Sequence, residues 1–368
     1  MVTNLSTGHV QYKLFSRGSA EEFDSAKGVV VLVTRKDVAE LAGVSSSTVS
    51  RVLNHGYVSE DVRVRVERAI QTLNYVPNRV AQSLRMQKLR QISCITHNIA
   101  NPFYSEVLLG IEEAAYHSGY TFSLYNANFE VRDYEHVVQQ GLHDGLIVMS
   151  PVELMSQLKN VMQTLPTVVF WDWSSQSPIP SVHVDLEKTM RTGVEYLVQN
   201  GHERIVFLGM DARDSRENPR LHGYVQAMKD YGLMVDESML QLIPKWQDNF
   251  RNGYNQMKRR LLAGLDFTAV AASNDLLAVG ALRAIQESGL RVPEDVSIVG
   301  IDDIELSQMV TPSLTTVRIP KREIGWSLFE LLHGLMNGAV KKNAAVEHKT
   351  ELVVRESVAS IRTRLRAR

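Results

Sequence analysis

One cysteine, Cys94, stands in 368 residues. A lone thiol cannot close an intramolecular disulfide, and its scarcity fits a reducing cytoplasm. Set inside the apolar run QISCIT (91–96), it reads as a small buried hydrophobe rather than a reactive group. No apolar run reaches the roughly 20 residues that a membrane helix needs, and the short stretch at 29–33 cannot form a signal-peptide core. Catalytic spacings are missing too. There is no G-x-S-x-G elbow, no P-loop lysine, no HExxH and no paired Cys/His spacing, and the eleven histidines are scattered. The reading is therefore of a cytoplasmic binding protein, not an enzyme, with no metal, no cofactor and no membrane partner.

What is present is segregated by charge. Residues 33–90 hold ten Lys/Arg against five Asp/Glu, a net +5, whereas residues 1–32 are neutral and residues 91–368 carry −6 of the overall −1. A basic head on an acidic body is the pattern of a nucleic-acid-binding module joined to something else. Residues 1–32 mix Ser, Gly and scattered charges without a period. We expect a disordered leader there, with a natural start near 31–33 as one account of it.

The head begins at Thr34. Thr34 and Asp37 are spaced as a capping box, Val38, Leu41 and Ala42 recur at helical spacing, and Gly43 supplies a stop. Ser45 caps a second helix that turns Val49, Val52 and Leu53 inward. A third starts at Ser59 with Glu60 and Asp61 at its positive end, and Val62, Val66, Ala69, Ile70 and Leu73 make its apolar face. Pro77 closes the bundle, and Asn78 can cap a further short helix, 79–85. Two short helices joined by a tight turn form a helix-turn-helix, whose second helix offers its N-terminal side chains to base edges. Ser46, Ser47 and Arg51 then project outward, Arg51 being able to grip guanine through two bonds. Thr34, Ser45, Thr48 and Asn54 are placed for phosphate contacts that set register without reading sequence.

From residue 91 short apolar runs alternate with amphipathic helices. Strands are expected near 91–96, 120–126, 145–149, 167–171, 204–208, 268–272 and 296–301, and helices at 104–118, 186–200, 218–231, 250–264 and 274–288. Near-continuous apolar strands separated by helices mean parallel sheets covered on both faces. The series repeats on either side of about residue 190, which implies two doubly wound lobes with a cleft between them. Ligands in such sheets sit beyond the carboxyl ends of the strands. Phe103 and Tyr104 follow the first strand, Asp172, Asn274 and Asp302 come at the ends of later ones, Arg220 opens a helix, and Trp246 lies between 240–243 and the next helix. Asp275 and Asp303 read equally well as caps or contacts, and Phe103 as a packing residue.

The runs VTRKDVAELAGVSSSTVSRVLN and YVSEDVRVRVERAIQTLNYVPNRVAQSLR, followed by NPFY (101–104), DGLIV (144–148), 273–303 and PSLTTVR (312–318), resemble the lactose-repressor/galactose-repressor family of bacterial regulators. The resemblance implies an all-α helix-turn-helix head (33–78), a hinge helix and linker (79–90), and a periplasmic-binding-protein-like (type I) α/β body (91–368). Its lobes are expected at 91–184 with 318–345, and at 185–317 with 346–360. It also implies that the hinge helix carries Ala81 and Leu84 to the minor groove, where a leucine wedge unstacks and bends the duplex. Phe103, Tyr104, Asp172, Arg220, Trp246, Asn274 and Asp302 fall on positions that the family uses for its effector. The implied partners are double-stranded operator DNA, a sugar or sugar phosphate, and a second copy in a homodimer or tetramer. A nucleobase is the alternative effector, and a transport-type sugar-binding module the alternative class.

Overall fold

The computed structural model describes residues 33–54, 56–75, 88–96, 98–127, 135–136, 138, 143–149, 157–171, 179–211, 218–244, 247–264, 266–341 and 343–361. The expected hinge helix, with Ala81 and Leu84, lies outside the described residues, as do Asp172, Trp246 and the leader. The chain separates into two units, 1–82 and 83–368.

In the head, α1 (Arg35–Ala42) starts where the Asp37 carboxylate accepts from the N–H and hydroxyl of Thr34 at 2.7 and 2.8 Å. It stops at Gly43, whose left-handed φ of 64° suits a residue without a Cβ. The chain turns into α2 (Ser46–Leu53) and then α3 (Glu60–Thr72). Val38, Ala39, Ala42, Val49, Val52, Val66 and Ala69 form the buried core of this bundle. Leu41, expected inside, is 54% exposed while Ala39 is buried. A helix of eight residues spans barely two turns, so spacing alone leaves the inward face uncertain by one residue, and packing against α3 settles it. Arg65 Nη1 also closes the bundle, donating to the Ala42 carbonyl at 3.0 Å.

The body contains two six-stranded sheets, ordered β2-β1-β3-β4-β5-β11 and β7-β6-β8-β9-β10-β12. The first is built from β1 (Gln91–Thr96), β2 (Thr121–Asn126), β3 (Gly145–Met149), β4 (Thr167–Trp171), β5 (Ser181–Val184) and β11 (Ala345–His348). The second uses β6 (Ile205–Met210), β7 (Leu240–Ile243), β8 (Ala269–Ala272), β9 (Ser297–Asp302), β10 (Thr315–Arg318) and β12 (Glu351–Val353). Pairing is parallel except for β12 on β10. Every residue described in β3, β5, β8 and β9 is buried, as strands covered on both faces require. The seven expected strands are present within two residues of their expected bounds. The short β5, β7, β10, β11 and β12, three or four residues each, have too little length to show a period.

The helices that cover these sheets are α4 (Pro102–His117), α5 (Lys159–Thr164), α6 (Leu186–Gln199), α7 (Pro219–Asp230), α8 (Phe250–Leu262), α9 (Asp275–Glu287), α10 (Leu306–Met309) and α11 (Lys321–Met336). Backbones of α4 and α11 approach so closely that a Cβ at Gly110 would overlap the Arg322 carbonyl, and one at Gly325 the Val107 carbonyl. The chain crosses between lobes from β5 into α6, from β10 into α11, and from β11 into β12. The last crossing thus falls between His348 and Glu351 rather than at 345–346, because 345–348 pairs with β5 in the first sheet. Leu186 and Ile319, at two of the crossings, are buried within one apolar cluster that contains residues of both lobes.

Candidate functional site

On the head, Val49 and Val52 are buried, which turns Ser46, Ser47 and Arg51 outward on α2. Arg51 is exposed in the last turn, with its aliphatic stem beside Gly56. The hydroxyl of Ser45 accepts from the Thr48 N–H at 3.1 Å and shares hydrogen bonds with Ser47 Oγ (2.7 Å) and Thr48 Oγ1 (2.9 Å). Ser45 therefore spends its side chain fixing the start of α2, and Asn54 donates to the Ser50 carbonyl at 2.8 Å at the other end. Thr34 is likewise held by Asp37, whose carboxyl lies below the usual range because of the Thr34 backbone hydrogen bond. Tyr57, on the loop after α2, was not singled out by sequence reasoning. It is 93% exposed, and a single aromatic outside any period carries no signal of that.

In the body, the strand orders reverse at β1 in one lobe and at β6 in the other. Such switch points open a crevice at the strand carboxyl ends. The same local sequence follows both strands. Asn101-Pro102 caps α4 and Asn218-Pro219 caps α7, each asparagine accepting a backbone N–H of the first turn (3.0 Å from Phe103, 3.1 Å from Leu221). Proline suits the first helical position because its missing N–H would be unpaired there. The next residue is Phe103 in one lobe and Arg220 in the other, each delivered to the mouth of its sheet. Phe103 is nearly buried, in edge-to-face contact with Tyr104 at 5.1 Å and tilted against Phe170 at 6.0 Å.

The polar half of the crevice belongs to the second lobe. Asn274, after β8, caps α9 through the Leu277 N–H (2.8 Å) and donates to the Asp248 carboxylate (2.7 Å) and carbonyl (3.0 Å). Asp302, at the end of β9, is 4% exposed. Burial raises its carboxyl well above the usual range, and Arg220 and Lys321 pull it part of the way back. Asp248 is raised by desolvation too, against the same pull from Arg220. The Arg220 guanidinium thus acts on both carboxylates electrostatically. Its buried Nε has no hydrogen-bond partner among the described residues. The structure thus brings Arg220, Asn274 and Asp302 together and adds Asp248, which sequence reasoning missed. Asn249 caps α8 by accepting from Asn252 N–H at 3.1 Å, so the surplus aspartate beside a capping asparagine was the available signal.

Asp275 and Asp303, read as caps or contacts, have structural work. The Asp275 carboxylate accepts from Ile304 N–H (3.0 Å), Ser307 Oγ (2.6 Å) and Thr316 Oγ1 (2.6 Å). Burial raises it to about 6 against those three bonds. Gly300 makes room for it, since a Cβ there would overlap Asp275 Oδ1. Asp303 pairs with Arg318 Nε at 2.7 Å and Arg355 Nη2 at 2.5 Å. Cys94 is fully buried, and burial pushes its thiol up, as suits a packing residue. Among the described residues no helix is long and apolar enough to cross a membrane.

Known proteins share this fold and much of this sequence. The pattern described as bacterial regulatory proteins, lacI family, matches residues 34–78, and that described as a periplasmic binding protein-like domain matches residues 194–358. The HTH-type transcriptional repressor PurR of Vibrio campbellii is 34% identical over 337 residues, covering 89% of this chain and 99% of the relative. The ribose operon repressor of Escherichia coli (strain K12) is 35% identical over 311 residues, covering 82% and 92%. A crystal structure of the Lac repressor dimer bound to operator and the anti-inducer ONPF superposes with a TM-score of 0.76 at 32% identity, covering 89% of this chain and 99% of that one. The helix-turn-helix head, the paired doubly wound lobes and these full-length likenesses agree: the chain belongs to the lacI family of bacterial regulatory proteins, DNA-binding transcription regulators.

Proposed function

We propose that this protein is a cytoplasmic, non-catalytic homodimeric repressor, acting at the nucleoid, whose operator affinity is set by a sugar-like effector. The observation that carries the effector reading is the Arg220–Asp302–Asp248 cluster at the strand ends of the second lobe. Two carboxylates accept hydrogen bonds from vicinal hydroxyls, while Arg220 offers donors to ring or hydroxyl oxygens. The aromatic pair Phe103–Tyr104, across the crossings on the first lobe, supplies apolar surface for a sugar's C–H face. Two aspartates face the one guanidinium, so the cluster has no surplus of positive charge to hold a phosphate, which favours a neutral polyol. A nucleobase is the second reading, favoured by the aromatic trio Phe103, Tyr104 and Phe170. Asp172 and Trp246 complete the proposed pocket by resemblance.

On the head, Ser46, Ser47 and Arg51 read base edges. Thr34, Ser45, Thr48 and Asn54 hold the backbone, the last three mainly by orienting α2, and the exposed Tyr57 hydroxyl adds a phosphate contact. Ala81 and Leu84 enter the minor groove between half-sites. A ligand shifts such a switch only by its difference in affinity for the two states.

One experiment tests both ends. A duplex is selected from a random pool with the full chain, and binding is followed by fluorescence anisotropy with and without a panel of neutral sugars and nucleobases. Arg51→Ala is expected to lose about 1–3 kcal/mol of sequence preference while keeping salt-dependent general affinity. Asp302→Ala keeps operator affinity and loses the response. Selection that survives Arg51→Ala, or a response that survives Asp302→Ala, sinks the corresponding assignment.

A further inference from the structure

The buried ammonium of Lys321 joins the two lobes at the proposed effector site. Lys321 is the first residue of α11, a helix of the first lobe, and its side chain is 5% exposed. Its Nζ donates to the carbonyls of Asp302 (2.7 Å) and Asp303 (2.8 Å), both in the second lobe. Glu106 Oε2, on α4 of the first lobe, lies 3.8 Å away. An ammonium has three donors in tetrahedral array. Two are spent across the crossing, and the third is left for the carboxylate of its own lobe.

The backbone it grips is not an ordinary one. Asp302 and Asp303 have φ of 117° and 54°, the left-handed region that favours glycine. Such a conformation persists where its surroundings over-determine it. Arg318 and Arg355 clamp the Asp303 carboxylate, and Thr316 Oγ1 lies 3.4 Å from the Asp303 nitrogen. Ile304 N–H is held by Asp275. With those groups taken, the two carbonyls remain; that of Asp302 accepts from the Ile319 N–H at 3.4 Å in the crossing as well as from Lys321, and Lys321 is the contact that reaches them from the first lobe. Moving the first lobe moves Lys321 and Glu106 together, because α4 and α11 are in backbone contact.

We propose that Lys321 is a positioning residue that holds the strained Asp302–Asp303 turn in register and couples it, through Glu106, to the first lobe. That the turn serves an effector rests on the function proposed above; the coupling itself does not. A carboxylate displaced by ligand at Asp302 pulls on its own carbonyl, and the strain is delivered to α11 and α4 rather than dissipated in a loop.

Hydrogen exchange on the full chain, without ligand, tests this separately from the effector assignment. Lys321→Met keeps the length of the side chain and removes the donors. It is expected to speed amide exchange at 303–307 about tenfold or more, with the strands of the second sheet unchanged. Glu106→Gln, on the other lobe and touching none of those amides, is expected to speed the same segment several-fold. In the Lys321→Met background it should add nothing, because its route is gone. Exchange at 303–307 unmoved by Glu106→Gln, additive effects, or a uniform rise across both sheets overturns the proposal. Should Lys321→Met fail to fold, the Glu106→Gln comparison alone decides. The Asp302→Ala operator assay reports independently on whether the turn binds an effector.

Discussion

At the scale of single residues, the body is organised by where it tolerates buried charge. Asp275 is fully buried with three donors on its carboxylate, yet desolvation outweighs them and raises it to about 6 from an ordinary 3.8. A raised folded-state value means that the folded protein holds the proton more tightly than the unfolded chain. The stability this contributes is present below about pH 3.8 and is lost as pH rises through about 6. A rise of that size corresponds to about 3 kcal/mol. Denaturant unfolding of the parent and Asp275→Asn should therefore give a stability difference that moves toward the asparagine variant by up to that amount between pH 4 and pH 7. A difference that stays flat across the range means that the three donors hold Asp275 ionised throughout. Residue roles of this kind were half legible beforehand. The position of Asp275 after a strand marked it as either a cap or a contact, and only the three partners it meets from β10 and the α10 region distinguish a clamp from a ligand group.

Elements were more legible than side chains. Helix starts at Thr34 and Ser45 followed from capping chemistry, which acts within four residues and needs no tertiary information; Ser59 marked the third start although its side chain makes no cap bond. The long strands followed from apolar runs for the same reason. The closeness of α4 and α11 did not. Glycine in mid-helix is a poor helix former and carries no local sign of a partner, whereas Gly110 and Gly325 each let one backbone lie against the other. Gly325→Ala puts a methyl onto the Val107 carbonyl and the Ile111 nitrogen, neither of which can swing away. Overpacking of this kind costs about 1–3 kcal/mol, so Tm should fall by several degrees, roughly 2–4 °C for each kcal/mol. An exposed helical Gly→Ala change raises stability by up to about 1 kcal/mol. A rise in Tm would thus mean that the two helices are not in contact.

For the whole molecule, a basic head of net +5 and a body of net −6 favour binding that places DNA against the head alone, with affinity falling steeply as salt rises. The proposed homodimer presents two heads to a pseudo-palindrome, and two-fold symmetry makes the half-site spacing part of recognition. A duplex with both half-sites should bind at least tenfold more tightly than one with a single half-site scrambled, and five extra base pairs between them should cancel the advantage. Equal affinity for all three duplexes, measured at one salt concentration, would leave no place for paired heads. The sequence by itself determined the helix-turn-helix, the alternation of strand and helix, the repeat that makes two lobes and the absence of catalytic spacings, because each is written in residues close along the chain. The tertiary structure decided that Leu41 faces out, that the third crossing lies after His348, that Asp248 joins Arg220 and Asp302, and that Lys321 spans both lobes. Those facts depend on residues tens to hundreds of positions apart being brought within a few ångströms by sheet order, and no local pattern encodes that distance.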